Sequence, residues 1–432
     1  MVTSVGTFRL ARQVLYDPQG HVHSLPGNAW LPPHQGIILT KRLQEWACLL
    51  GRDFAFPTAR RLLGWQAGEE GLLCVNEVQR LVVRHGQVLR QAAAAEVAEL
   101  LAAGDLGVRR ANLVPAAPAR RPSAWPAELA PLVAAALAAE SDTPPEGVTL
   151  ADWERVRAVR RAEWQAAGPA PDPEVLLDPN ERAAVAALAH LGPEVAPDQV
   201  LVSADEVKVR QPEKDAWAEL HTARVATAHG ARYLCGTEEL FLQELWLTIL
   251  LCGGPRGLVT FVCDGARWLR EFAQGWLSRL PRWELILDWF HLVKKVRDLL
   301  SRTGGSRAAK KAAQQGLLAA LWDGQVDRAL SRLEAYRSEA KEQKPVDDLR
   351  SYLEARRAAL PPYRQRRMAQ QYIGSGQAEK TNDLVVVRRQ KNRGMHWRPS
   401  TSEALGRLKV LQLNGDWDAY WHDGLLPSLV AG

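Results

Sequence analysis

The chain is poor in cysteine, in methionine and in long apolar runs, and each scarcity closes off a class of protein. Its five cysteines (Cys48, Cys74, Cys235, Cys252, Cys263) are an odd number and include no C-x-x-C pair, which argues against a disulfide framework and a cysteine-rich zinc site. The most apolar run, 245–252, is too short to cross a bilayer. The opening MVTSVGTFRL has no long apolar core and predicts no signal peptide. A soluble, cytoplasmic protein with no membrane partner is expected. No internal repeat is evident.

What is present is a globular composition, 47% hydrophobic and 24% charged over 432 residues, enough for two or three domains. The net charge is +6, but it is concentrated. Between Arg364 and Arg398 nine Arg and Lys face two acids, Glu379 and Asp383. The rest of the chain is close to neutral, so nucleic-acid binding is permitted and localised rather than general.

Residues 1–40 read as irregular, broken by Pro26, Pro32 and Pro33. Three helices follow, in which Leu43, Trp46, Ala47 and Leu50 share a face, 57–65 forms a short second helix and Asn76 is a candidate N-cap for the third. On the third, Arg80 and Arg84 point together away from the apolar stripe. Residues 1–113 are therefore expected to be a helical, helix-turn-helix-like DNA-binding region. A small bundle with a solvated basic face fits the pattern equally. A Pro/Ala-rich linker (114–146) and a helical connector (147–194) come next. Three strand-like runs at 199–209, 216–228 and 231–237 then suggest an antiparallel meander. A helix at 238–252, the buried-strand pattern LVTFVCDG (258–265), a helix at 266–279 and the apolar run 283–290 follow. This predicts an α/β fold, a mixed sheet layered by helices. Residues 291 to about 368 look helical throughout, a basic helix runs from 376 to about 392, and a last helix covers 401–413.

Three acids stand out by placement. Asp205 lies among small and apolar residues of the first strand, Asp264 closes a buried strand just before Gly265, and Glu379 opens the helix whose far end carries Arg388, Arg389, Lys391 and Arg393. Two-metal phosphodiester cleavage requires carboxylates that converge from such strand ends and first turns. Each acid alone also reads as a cap or turn residue.

VLVSADEVKV, TFVCDGARWL, ILDWFHLVKKV and YIGSGQAEKTNDLVVVRRQKNRGMHW together resemble segments of bacterial insertion-sequence transposases of the DDE class, over roughly 195–420. The resemblance implies an RNase H-like catalytic core at 195–304 and 371–420, an all-helical insertion at 305–370 and a C-terminal tail at 421–432. It implies that Asp205, Asp264 and Glu379 are catalytic and hold two divalent cations, Mg²⁺ or alternatively Mn²⁺. The partners implied are double-stranded DNA, both element ends and target, and further copies of the chain in a homo-oligomer on the nucleoid. Arg80, Arg84, Arg388, Arg389, Lys391 and Arg393 are the candidate DNA contacts. Asp288 and His291 match a D-x-x-H signature and are auxiliary candidates or a structural pair. Trp289, Trp322 and Trp397 are candidates to stack on an unpaired base, although most of the sixteen tryptophans are expected in cores. Three other readings stand: an inactive or domesticated transposase-derived DNA-binding protein, a nuclease or junction resolvase that does not join ends, and a helix-turn-helix regulator without catalysis.

Overall fold

A computed structural model of the chain describes residues 2–7, 14–16, 22–24, 39–102, 195–213, 215–391 and 395–429. The expected linker, the expected connector and Arg393 lie outside these residues. Near the N-terminus, where irregular chain is expected, β1 (Val2–Thr3) pairs with β2 (Gly6–Thr7) and β3 (Val14–Tyr16) with β4 (Val22–Ser24). Helices α1 (Lys41–Asp53), α2 (Phe56–Ala67) and α3 (Val75–Ala102) follow. Thr40 caps α1, and Gly68 ends α2 in the left-handed conformation that lacks a Cβ penalty. Asn76 is not a cap, because α3 already begins at Val75.

The centre of the molecule is a five-stranded mixed sheet in the order β7-β6-β5-β8-β9. Its strands are β5 (Gln199–Arg210), β6 (Trp217–Thr227), β7 (Gly230–Gly236), β8 (Leu258–Cys263) and β9 (Trp283–Leu287). The first three form the expected antiparallel meander, and β8 and β9 extend it in parallel with β5. The burial of β5 explains its sequence. From Val200 to Ala204 every side chain is buried, because both faces are covered; beyond Asp205, Val207 and Val209 point inward while Lys208 and Arg210 face solvent.

One face of the sheet packs Val200, Val202, Val259 and Phe261 against α4 (Glu238–Leu251) and α5 (Arg267–Gly275). The other packs Leu201, Val262 and Ile286 against α6 (Trp289–Ser301) and against the helices α7 (Arg307–Trp322), α8 (Val326–Arg337), α9 (Lys344–Glu354) and α10 (Tyr363–Met368). The apolar run 283–290 is therefore two elements: β9 stops at Leu287, and Asp288 becomes the N-cap of α6. Trp289 and Trp322, both half-buried, pack with Tyr363 against this core, with ring centres 4.7–6.3 Å apart.

After the insertion, α11 (Gly376–Asn382) continues through a π-helical segment at Asp383–Val387 into Arg388–Gln390, so the expected basic helix runs without a break and carries a π-bulge at its centre. α12 (Pro399–Leu413) closes the fold. It packs on α3 so tightly that a Cβ on Gly86 would lie 2.2 Å from that of Ala404. Helices α1–α3 thus share one core with α12, Trp397 and the far half of the β5–β6 hairpin. No described helix is long and apolar enough to span a membrane.

Candidate active site

The sheet register brings the acids together. In the β5–β8 ladder Ser203 lies opposite Val262, an offset of 59 that also separates Asp205 from Asp264. In the β8–β9 ladder Cys263 lies opposite Leu287, and the same offset carries Asp264 to Asp288. The Asp288 N–H donates to the Cys263 carbonyl at 2.8 Å, so the alignment persists past the last paired residues. Three aspartates therefore lie at one level across three adjacent parallel strands, Asp205 within β5 and Asp264 and Asp288 just past the ends of β8 and β9, where α/β sheets open a crevice at their carboxyl edge.

Each has a different environment. Asp264 Oδ1 accepts the Ala266 N–H at 2.8 Å, which fixes the turn into α5. Gly265 allows that turn with φ +83°; a Cβ there would meet Leu287 and Arg356 at 2.7 Å. Asp205 accepts from the Glu206 N–H at 2.8 Å and from Asn382 Nδ2 at 2.7 Å. Burial pushes its carboxyl up to about 6, and the negative charge of Asp264 adds to the rise while the Glu206 N–H opposes it. Asp288 is buried: Oδ1 caps α6 by accepting the His291 N–H at 2.8 Å, and Oδ2 accepts from the Ser375 N–H and from its hydroxyl, the latter at 2.6 Å. Burial works against its charge, but these bonds outweigh it and hold the carboxyl below the usual range. The two bonds from Ser375 hold the 374–376 loop against the end of β9.

That loop delivers Glu379. It lies on α11 three residues before Asn382, so both face the sheet edge on one side of the helix. Asn382 is held in turn by the Thr222 hydroxyl and reaches Asp205. Glu379 Oε1 lies 3.7 Å from His291 Nε2 and the Glu379 side chain is 64% exposed. His291 Nδ1 lies 3.5 Å from Asp288 Oδ1. This contact is too poorly aimed for a hydrogen bond, since Nδ1 has no hydrogen-bond partner. Even so, Asp288 raises the imidazole above its ordinary pKa more than any other group, and Asp264 and Glu379 add to it.

No Lys or Arg forms an ion pair with Asp205, Asp264 or Glu379 among the described residues. The donor set is all oxygen, the type hard divalent cations take, and burial of an acid beside another acid is costly without a cation. The residues fit such a group in chemistry, but the set is not closed. Among the described residues no three His, Cys, Asp or Glu side chains stand close enough together to grip an ion. Glu379, the exposed member, is the one with freedom to swing inward.

The basic residues divide. Arg80 and Arg84 are exposed on α3, Arg80 with a weak 3.5 Å contact to Glu77. Lys391 is exposed. Arg388 is bonded to Asp383 at 3.1 Å, which leaves it partly exposed. Arg389 faces inward instead, 8% exposed, with its guanidinium over Trp397 and Phe56 and its Nε donating to the Gly51 carbonyl. It braces the core and is withdrawn from the DNA contacts, as Trp397 is from the base-stacking candidates. Arg366, another member of the basic run, is buried against Glu284 at 2.8 Å and 3.0 Å.

Sequence reading missed Asn382, Ser375 and Arg356, the last reaching from the helical insertion to donate to the Gly265 carbonyl at 2.8 Å. Asn382 was legible from its spacing to Glu379; Arg356 had no local signal. Compared with known families and curated proteins, the chain matches no family model and no curated relative.

Proposed function

We propose that the chain is a DDE-type transposase of the bacterial insertion-sequence class, with an RNase H-like core that cleaves and rejoins DNA using cations bound by Asp205, Asp264 and Glu379. One observation carries this reading: Asp205 and Asp264 lie at the same level of neighbouring parallel strands, and the helix bearing Glu379 is bonded to Asp205 through Asn382. A sheet of three antiparallel strands extended by two parallel ones, with a helical insertion before the Glu, supports the fold assignment.

Mg²⁺ or Mn²⁺, when bound, would supply activation of the attacking oxygen and charge neutralisation at the scissile phosphate. The chain's own residues prepare that chemistry. Asn382 fixes the Asp205 carboxylate, and the Ala266 N–H fixes that of Asp264. Asp288 and Ser375 clamp the loop before α11, so Glu379 swings from a fixed hinge. His291, raised in pKa and beside Glu379, is placed to hold the Glu side chain and to carry a proton at Nε2. Arg80, Arg84, Lys391 and Arg388 are the groups for phosphate contact. The freed 3′ end would attack target DNA, which calls for two copies of the chain on two element ends.

The test uses a labelled duplex carrying the DNA on either side of the gene, with Mg²⁺. The wild-type chain is expected to nick it and to join the freed 3′ end to a second duplex. Asp205→Asn, Asp264→Asn and Glu379→Gln are expected to bind it without cutting. Nicking without joining assigns a nuclease instead; binding with no nicking by wild type leaves a DNA-binding protein only.

A further inference from the structure

Most bulky apolar side chains of the sheet and insertion are buried, but Phe290 is 64% exposed. It is the second residue of α6, between Trp289, which packs inward, and His291, which faces Glu379. Its ring lies over the backbone of Gly374, where any side chain would collide: a Cβ there would sit 2.9 Å from two ring carbons and 3.6 Å from Asp288 Oδ2. The glycine of the loop thus makes room for a phenyl ring on the rim of the carboxylate cluster, with one side open to solvent.

The face of α6 that carries Phe290 continues with Lys294 and Arg297, at i+4 and i+7. Leu292, Val296, Leu299 and Leu300 are buried on the opposite side. Lys294 and Arg297 are exposed, and neither has a carboxylate partner among the described residues. The neighbouring Lys295, by contrast, lies over the Tyr352 ring. At about 1.5 Å rise per residue the two cations stand about 6 Å and about 10 Å from Phe290 along the axis, the span of two or three nucleotides at about 3.4 Å each.

We propose that the outer face of α6 is a track for a single DNA strand: the base beside the scissile phosphate leaves its stack to lie on Phe290, and the phosphates beyond it meet Lys294 and Arg297. The track rests on the reading of the carboxylates as a phosphodiester-cleaving site, and it deepens that reading by naming the substrate as locally unpaired. An aromatic face accepts any base, so the track contributes position rather than sequence preference.

The experiment is binding of a 5′-labelled 20-nucleotide single strand carrying one 2-aminopurine, without divalent cation, to the full chain. Phe290→Ala is expected to weaken binding about tenfold and to remove the stacking-dependent quenching of the 2-aminopurine, whereas Phe290→Trp retains both. Lys294→Ala with Arg297→Ala is expected to lower the slope of log affinity against log salt by about 1.4, two phosphates at about 0.7 each for a single strand. All three side chains are exposed, so folding is expected to be unaffected, which circular dichroism checks. Unchanged quenching in Phe290→Ala, or an unchanged salt slope in the double variant, overturns the track. Wild-type cleavage of duplex together with unchanged quenching would remove only the track; quenching as expected with no cleavage under any cation would remove only the reading of the carboxylates.

Discussion

Two groups of acids in this molecule are treated in opposite ways. Beneath β7, Glu244 and Glu403 are buried at 5% and 7% exposure and share Arg407, whose guanidinium reaches Glu244 at 2.9 Å and 3.2 Å and Glu403 at 2.8 Å, while Arg90 stands 3.4 Å from Glu403 as a second cation. At the carboxyl edge of the sheet, Asp205, Asp264 and Glu379 have amide and imidazole neighbours but no Lys or Arg ion pair among the described residues. The first group is complete as folded. The second is held in position by hydrogen bonds from Asn382 and the Ala266 N–H, with His291 beside it but no Lys or Arg counter-charge among the described residues, which is the arrangement expected of a site that takes its cation from solution.

The largest effect that could break this contrast is on activity. Asp205→Asn, Asp264→Asn and Glu379→Gln are each expected to lower metal-dependent DNA cleavage by about a thousandfold or more, on the scale of losing an essential charge-stabilising group, in a gel assay of labelled duplex. Arg407→Ala is expected to do the reverse. It strands the buried carboxylate of Glu244, leaves Glu403 with Arg90 alone, and costs about 3–5 kcal/mol, read as a lower denaturant midpoint.

Asp205 gives the third test, through pH. Its folded pKa of about 6 lies above its unfolded value of about 3.9. The native state therefore keeps a proton that the unfolded state releases, and this contribution to stability is full below pH about 4 and lost as pH rises through 6. Whatever Asp205→Asn costs at pH 4, the fall in stability from pH 4 to pH 7 without metal is expected to shrink by on the order of 2 kcal/mol. Denaturant titrations at the two pH values measure this. The smallest effect belongs to Asp288. Losing its cap on α6 and its bonds to Ser375 is expected to destabilise Asp288→Ala by about 1–2 kcal/mol. Cleavage would fall through a rise in KM or a loosened Glu379, and a normal rate would show the clasp to be dispensable.

The sheet was legible because its strands carry period-two patterns and buried runs between turn residues. The offset that aligns Asp205 with Asp264 could not be read until the strands were paired, since sequence spacing alone does not reveal register. The orientation of the aromatic rings was hidden for a related reason. In WFHL, Trp289 and Phe290 are adjacent, and only the position of the N-cap at Asp288 decides which ring turns inward. Arg389 was misread because a charged residue in a basic run looks solvated, whereas its planar guanidinium packs between two aromatic rings. Arg356 and the sharing of a core by α1–α3 and α12 depend on contacts between distant parts of the chain, for which local pattern carries no signal.

The claim that the three strand-edge and helix acids form one cation site is tested most directly by calorimetric titration of Mn²⁺ into the protein bound to a short duplex. The expected result is saturable binding by the wild-type chain, lost in Asp205→Asn and Asp264→Asn and weakened in Glu379→Gln. Identical Mn²⁺ binding by the wild type and all three variants would contradict it.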